Sequence, residues 1–138
     1  MVLWAQHSDK TRERVWHVGL PLLLTAVALA LSGISTNPTL TMVALTVAAI
    51  GVFCTFALFW TLPTSWLTGA AAAGGIAMIN SIGNLAGFCG PYLIGWVKEA
   101  TGQTSNGLLV LAVLPLIAGI LVFIGGHETK HEFAEQGR

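Results

Sequence analysis

The sequence predicts an all-α membrane protein of four transmembrane helices. Composition is the first observation: 54% of the residues are hydrophobic and only 9% charged, where a soluble domain carries about a quarter charged. The second is how the charges are placed. No Asp, Glu, Lys or Arg lies between Arg14 and Lys98, and none between Glu99 and Glu128, leaving uncharged tracts of 83 and 28 residues. Such tracts exclude an ordinary globular enzyme, a nucleic-acid binder and a disordered segment.

A bilayer core of about 30 Å takes roughly 20 helical residues, so the first tract must hold several crossings. The first span is expected over residues 16–34, followed by the polar turn Ser35-Thr36-Asn37-Pro38-Thr39. A second, 40–62, is stopped by Pro63-Thr64-Ser65. The third, 67–96, is long and glycine-rich, and ends at Lys98-Glu99-Ala100-Thr101-Gly102. The fourth, 107–126, carries Pro115 as an expected kink, and 127–138 is a polar tail. A signal-peptide outline fits the basic stretch to Arg14 and the apolar run after it. It is set aside because three further spans follow and the basic segment is long and partly acidic.

An even number of crossings puts both termini on one side. Lys10, Arg12, Arg14, Lys130 and Arg138 flank that side, against Lys98 alone on the other, so the termini are expected in the cytoplasm. Trp4, Trp16, Trp66 and Trp96 fall at span ends, where amphipathic rings settle. Trp60 lies deeper.

The third span carries the most information. Gly83 and Gly87 form a GxxxG, continued by Gly90 and Pro91. Helices in lipid gain no hydrophobic drive from touching, so small residues that admit close approach hold them together. Asn80 and Asn84 stand four apart, hence on one face. A carboxamide is costly against lipid, so this face should look at another helix or at a watery cavity. Spacing alone leaves both readings open. The end of the second span, Phe59-Trp60-Thr61, supplies an aromatic cluster that either lines a passage or wedges helices apart.

Several kinds of chemistry find no footing. No span holds a carboxylate, Lys or Arg, so no intramembrane proton relay is encoded here. Nucleophile, phosphate-loop and metal patterns are missing, and no cofactor is expected. Cys54 and Cys89 read as small buried hydrophobes rather than a disulfide or metal pair. His127 and His131 read as part of a solvated tail.

At the level of motif the chain resembles the major facilitator superfamily of transporters. Residues 6–17, with Ser8-Asp9-Lys10 and Arg14, resemble the cytoplasmic loop between its helices 8 and 9. Three further stretches are similar to its anion:cation symporter branch, which includes permeases for tartrate, phthalate, glucarate and galactonate. They are Phe59-Trp60-Thr61-Leu62-Pro63-Thr64, residues 74–85 around Asn80-Ser81-Ile82-Gly83-Asn84, and residues 87–96 beginning Gly87-Phe88-Cys89-Gly90-Pro91. The loop departs from the family in its opening, where Ala5 and Gln6 stand in place of Gly and a base.

The resemblance implies that residues 1–17 are that cytoplasmic loop, with Met1–Trp4 the cytoplasmic end of helix 8, and that 18–126 hold helices 9 to 12 of a twelve-helix fold. Residues 127–138 would be the cytoplasmic tail. It further implies a part of a proton-coupled transporter of small organic anions in the bacterial inner membrane, inactive without its N-terminal helices. In that fold helices 10 and 11 face the central cavity, so Asn80, Asn84, Phe59, Trp60 and Thr61 become candidate substrate contacts. Gly83, Gly87, Gly90 and Pro91 become packing residues. The alternatives are a small four-helix transporter that works as an oligomer, and a non-transporting membrane protein. The partners expected are the lipid bilayer, an organic anion with a proton, and the missing helices, but no nucleic acid.

Overall fold

A computed structural model describes residues 2–11, 13–61, 64 and 67–136, with side chains through Gly125. Leu62, Pro63, Ser65 and Trp66, where the break after the second span was expected, lie outside the described residues. So do Arg12 and the side chains of His127, Lys130, His131 and Arg138.

Among the described residues five helices follow one another: α1 (Val2–Thr11), α2 (Arg14–Ile34), α3 (Pro38–Phe59), α4 (Gly69–Thr101) and α5 (Thr104–Gln136). Four of them are long and apolar enough to cross a membrane, namely Arg14–Ile34, Pro38–Phe59, Gly69–Thr101 and Thr104–Gly125. The all-α membrane architecture expected from the charge gaps is borne out. One feature was only partly foreseen. Residues expected as a connecting loop are helical over Val2–Thr11, and α2 already begins at Arg14.

Local chemistry explains the boundaries. Asn37 caps α3: its side-chain oxygen accepts from the Thr39 N–H at 2.9 Å, and Pro38 takes the first helical position, where no N–H is needed. At the other hairpin, α4 ends on Gly102 with φ +75°, and its N–H donates to the Lys98 carbonyl at 2.8 Å. A side chain there would be strained, so glycine is the residue that lets α5 start two residues later.

The helices pack in the spatial order α3, α2, α5, α4. α2 is the centre, with half of its apolar window buried, while α4 has none. Its seam with α3 is antiparallel. Thr25 Oγ1 donates to the Pro21 carbonyl at 2.8 Å and also lies 3.3 Å from the Ala48 carbonyl of α3. Gly51 of α3 sits against Pro21 and Thr25 so closely that a Cβ would collide with both. Ala44, Ala48, Gly51 and Thr55, three or four apart, are all buried and make up the rest of that face.

The α2–α5 seam is built in the same way. Gly19 meets the Phe123 ring, Gly119 meets Leu23, and Gly33 meets Leu109 and the Ser105 carbonyl. Trp16 meets Phe123 edge-on, with ring centroids 5.0 Å apart. α4 joins the bundle through α5, where Gly107 approaches Ile94.

Candidate functional site

The candidate residues fall on two elements. Asn80 and Asn84 lie one turn apart on α4, and both are exposed. Every residue from 80 to 89 is exposed, including Phe88 at 73%, and Val97 is the buried residue of this helix. Among the described residues neither carboxamide has a hydrogen-bond partner, whereas Ser81 between them donates back to the Ala77 carbonyl at 2.8 Å. The two amides are therefore free to bind something outside the bundle.

Gly83, Gly87 and Gly90 lie on the same uncovered stretch. A Cβ on any of them would meet nothing within 4 Å, and Pro91 is exposed. Among the described residues, tight helix–helix contacts at glycine are made by Gly19, Gly33, Gly51, Gly107 and Gly119.

At the end of α3 the aromatic cluster is half-buried. Trp60 occupies the C-cap position, its ring 5.5 Å from Phe59 and 6.4 Å from Phe56, edge-on in both cases. Thr61 Oγ1 turns back to the Leu58 carbonyl at 2.6 Å, which leaves that hydroxyl's lone pairs as acceptors. The hydrogen bonds and ring contacts of this cluster stay within residues 56–64 and do not reach Asn80 or Asn84 among the described residues. Among the described residues the two halves of the candidate site are thus not in contact.

In the segment ahead of α2, Ser8 is wholly buried and its hydroxyl has no partner among the described residues. Asp9, Lys10 and Arg14 are exposed. Sequence reasoning read Trp4 as an interfacial ring but missed its contact: it donates its indole N–H to the His17 carbonyl at 2.9 Å. A signal was available: Pro21 stands four residues after His17 and cannot supply the helical N–H. Both cysteines are free. Cys54 is half-buried, but Cys89 is exposed on α4 rather than buried, because no described helix covers that face.

Such surfaces can recognise a solute by neutral hydrogen bonds and aromatic contact. They hold no fixed charge, since residues 15–97 contain no Asp, Glu, Lys or Arg. No group of three metal-ligating side chains occurs among the described residues.

Comparison with known proteins supplies the context. A putative tartrate transporter of Agrobacterium vitis is 50% identical over 124 residues, covering 90% of this chain and 28% of its own length. The chain is a relative of bacterial membrane transporters. A quinolone resistance transporter of Acinetobacter baumannii is 42% identical over 124 residues, again 90% of the chain, and 29% of its own length. The inner membrane transport protein RhmT of Escherichia coli K12 is 38% identical over 118 residues, 86% of the chain and 27% of that protein. The chain therefore spans less than a third of the length of the curated relatives it matches. No family model and no solved structure matches it. The resemblance to major facilitator transporters, drawn from the motifs of α3 and α4, is borne out by these relatives, which are named for transport and not for catalysis.

Proposed function

We propose that the chain serves as the helix 9–12 part of a proton-coupled secondary transporter for small organic anions such as sugar acids and dicarboxylates. The observation that carries this reading is α4. It is a membrane-length helix with none of its apolar window buried, bearing two unpartnered carboxamides, in a chain whose relatives are more than three times longer. A helix left bare in this way is suited to face further helices and a cavity between them.

In this reading residues 1–17 connect two helices on the cytoplasmic side, 18–126 cross the inner membrane four times, and 127–138 form a cytoplasmic tail. Ser8, Asp9, Lys10 and Arg14 belong to the cytoplasmic connection. Gly83, Gly87, Gly90 and Pro91 seat the missing helices. Asn80 and Asn84 bind the anion, with Phe59, Trp60 and Thr61 as the opposite wall. A carboxamide suits a hydroxy-acid because it donates to a carboxylate oxygen and accepts from a hydroxyl. Alternating access would come from rocking two repeat-built halves about a midplane site. The charged groups that couple a proton would lie in the other helices, since these spans encode none.

The test is a chimera in which this chain replaces the matching stretch of the Agrobacterium vitis tartrate transporter. Losing a buried hydrogen bond to substrate costs on the order of 1–3 kcal/mol, which is roughly a 5- to 150-fold loss of affinity. Asn80→Ala should therefore weaken tartrate uptake by that factor at unchanged membrane abundance. Unchanged affinity would make Asn80 a packing residue and remove it from the site.

A further inference from the structure

Pro21 sits inside α2 and has no N–H. In an unbroken helix that N–H would bond the carbonyl of residue 17, four positions earlier. His17 is buried, so its carbonyl is deprived of its helical partner where water is scarce. Such a group is costly unless another donor reaches it. Trp4, on a different helix, supplies that donor at 2.9 Å.

We propose that α1 is a clamp on the proline break in α2, with Trp4 holding the carbonyl that Pro21 releases. The segment ahead of the first span thereby sets how far α2 can flex at its Pro21 hinge. Three further observations fit. The indole and the His17 imidazole lie 5.0 Å apart and tilted, and His7, one turn along α1, brings its ring within 5.2 Å of the same imidazole. Next to His7, Ser8 is wholly buried, so α1 is docked rather than loosely tethered. Beside the break an open apolar groove of about 370 Å³, lined by Trp4, Pro21, Leu24 and Gly51 among others, runs along the surface of α2. Letting go of the carbonyl would leave α2 with a missing rung beside an open apolar groove. That combination makes a hinge.

A double-mutant cycle separates the clamp from simple ring packing. Trp4→Phe keeps an aromatic ring and removes the N–H. Pro21→Ala restores the N–H that the His17 carbonyl lacks. The readout is hydrogen–deuterium exchange of the amides of α1 and of the first turns of α2, in the full chain reconstituted in nanodiscs. In the native background Trp4→Phe should speed exchange about tenfold, the factor for losing one buried hydrogen bond. In the Pro21→Ala background it should change exchange less than about twofold, because the carbonyl then has its helical partner. An equal acceleration in both backgrounds, or none in the native one, overturns the proposal. Failure of Trp4→Phe to insert also counts against it unless Pro21→Ala restores insertion.

Discussion

Gly51 gives the sharpest test of how this bundle is held. Gly51→Val places a Cβ 2.8 Å from the Pro21 carbonyl oxygen and even nearer to Thr25 Oγ1. The carbonyl is backbone, and the threonine is held by its bond to that same carbonyl, so neither can step aside. α3 must back away from α2, and the approach of Thr25 to Ala48 opens with it. Valine and glycine differ little in helix propensity, which leaves the clash as the main term. Overpacking costs about 1–3 kcal/mol. With backbone as the obstacle, the upper part of that range applies, about 2–3 kcal/mol, or a 30- to 150-fold fall in the folded-to-unfolded ratio. The control is Gly87→Val, where a Cβ meets nothing within 4 Å and the change should stay within about 0.5 kcal/mol. Equilibrium unfolding of the isolated chain by SDS in detergent micelles, followed by circular dichroism, reads both. If Gly51→Val is as mild as Gly87→Val, close α2–α3 packing does not hold the bundle. In the chimera, where further helices would cover α4, Gly87→Val should lose its mildness and lower the folded amount in the membrane.

Two other outcomes are expected. Reporter fusions at the C-terminus and in the loop at residues 103–106 should report opposite sides of the membrane, with the C-terminus cytoplasmic; a cytoplasmic loop would reverse the orientation argued from the Lys and Arg bias. Gly102→Ala puts a side chain on a residue with φ +75° and should cost about 1 kcal/mol in the same micelle titration, whereas no loss would mean that the α4–α5 turn relaxes without strain.

Much of this fold could be read from residue type alone. The charge gaps announce membrane helices, Asn37-Pro38 marks where α3 begins, and Gly102 marks where α4 stops. The helix-packing pattern was harder to read. The glycines of α4 stand out by number, yet among the described residues the close helix–helix approaches include those of Gly51, Gly19 and Gly119, each alone in its helix neighbourhood. Their partners, Thr25, Phe123 and Leu23, are set by helix pairing, which the local sequence does not state. Trp4 was legible as an interfacial tryptophan, but its bond to His17 depends on α1 folding back onto α2. The candidate site is legible only as a pair of carboxamides on one helical face. Among the described residues no helix covers that face, so local sequence offers nothing further about it.

The central claim, that this chain acts as one part of a larger transporter, is tested most directly by uptake into proteoliposomes. Two preparations are compared under an inward proton gradient: the chain alone, and the chain in place of the matching stretch of the Agrobacterium vitis relative, with labelled tartrate as solute and a quinolone as competitor. The account predicts saturable uptake by the chimera and none by the chain alone, since four helices without a charged relay cannot couple a proton. Saturable uptake by the chain alone would contradict it and point to a small transporter assembled from several copies.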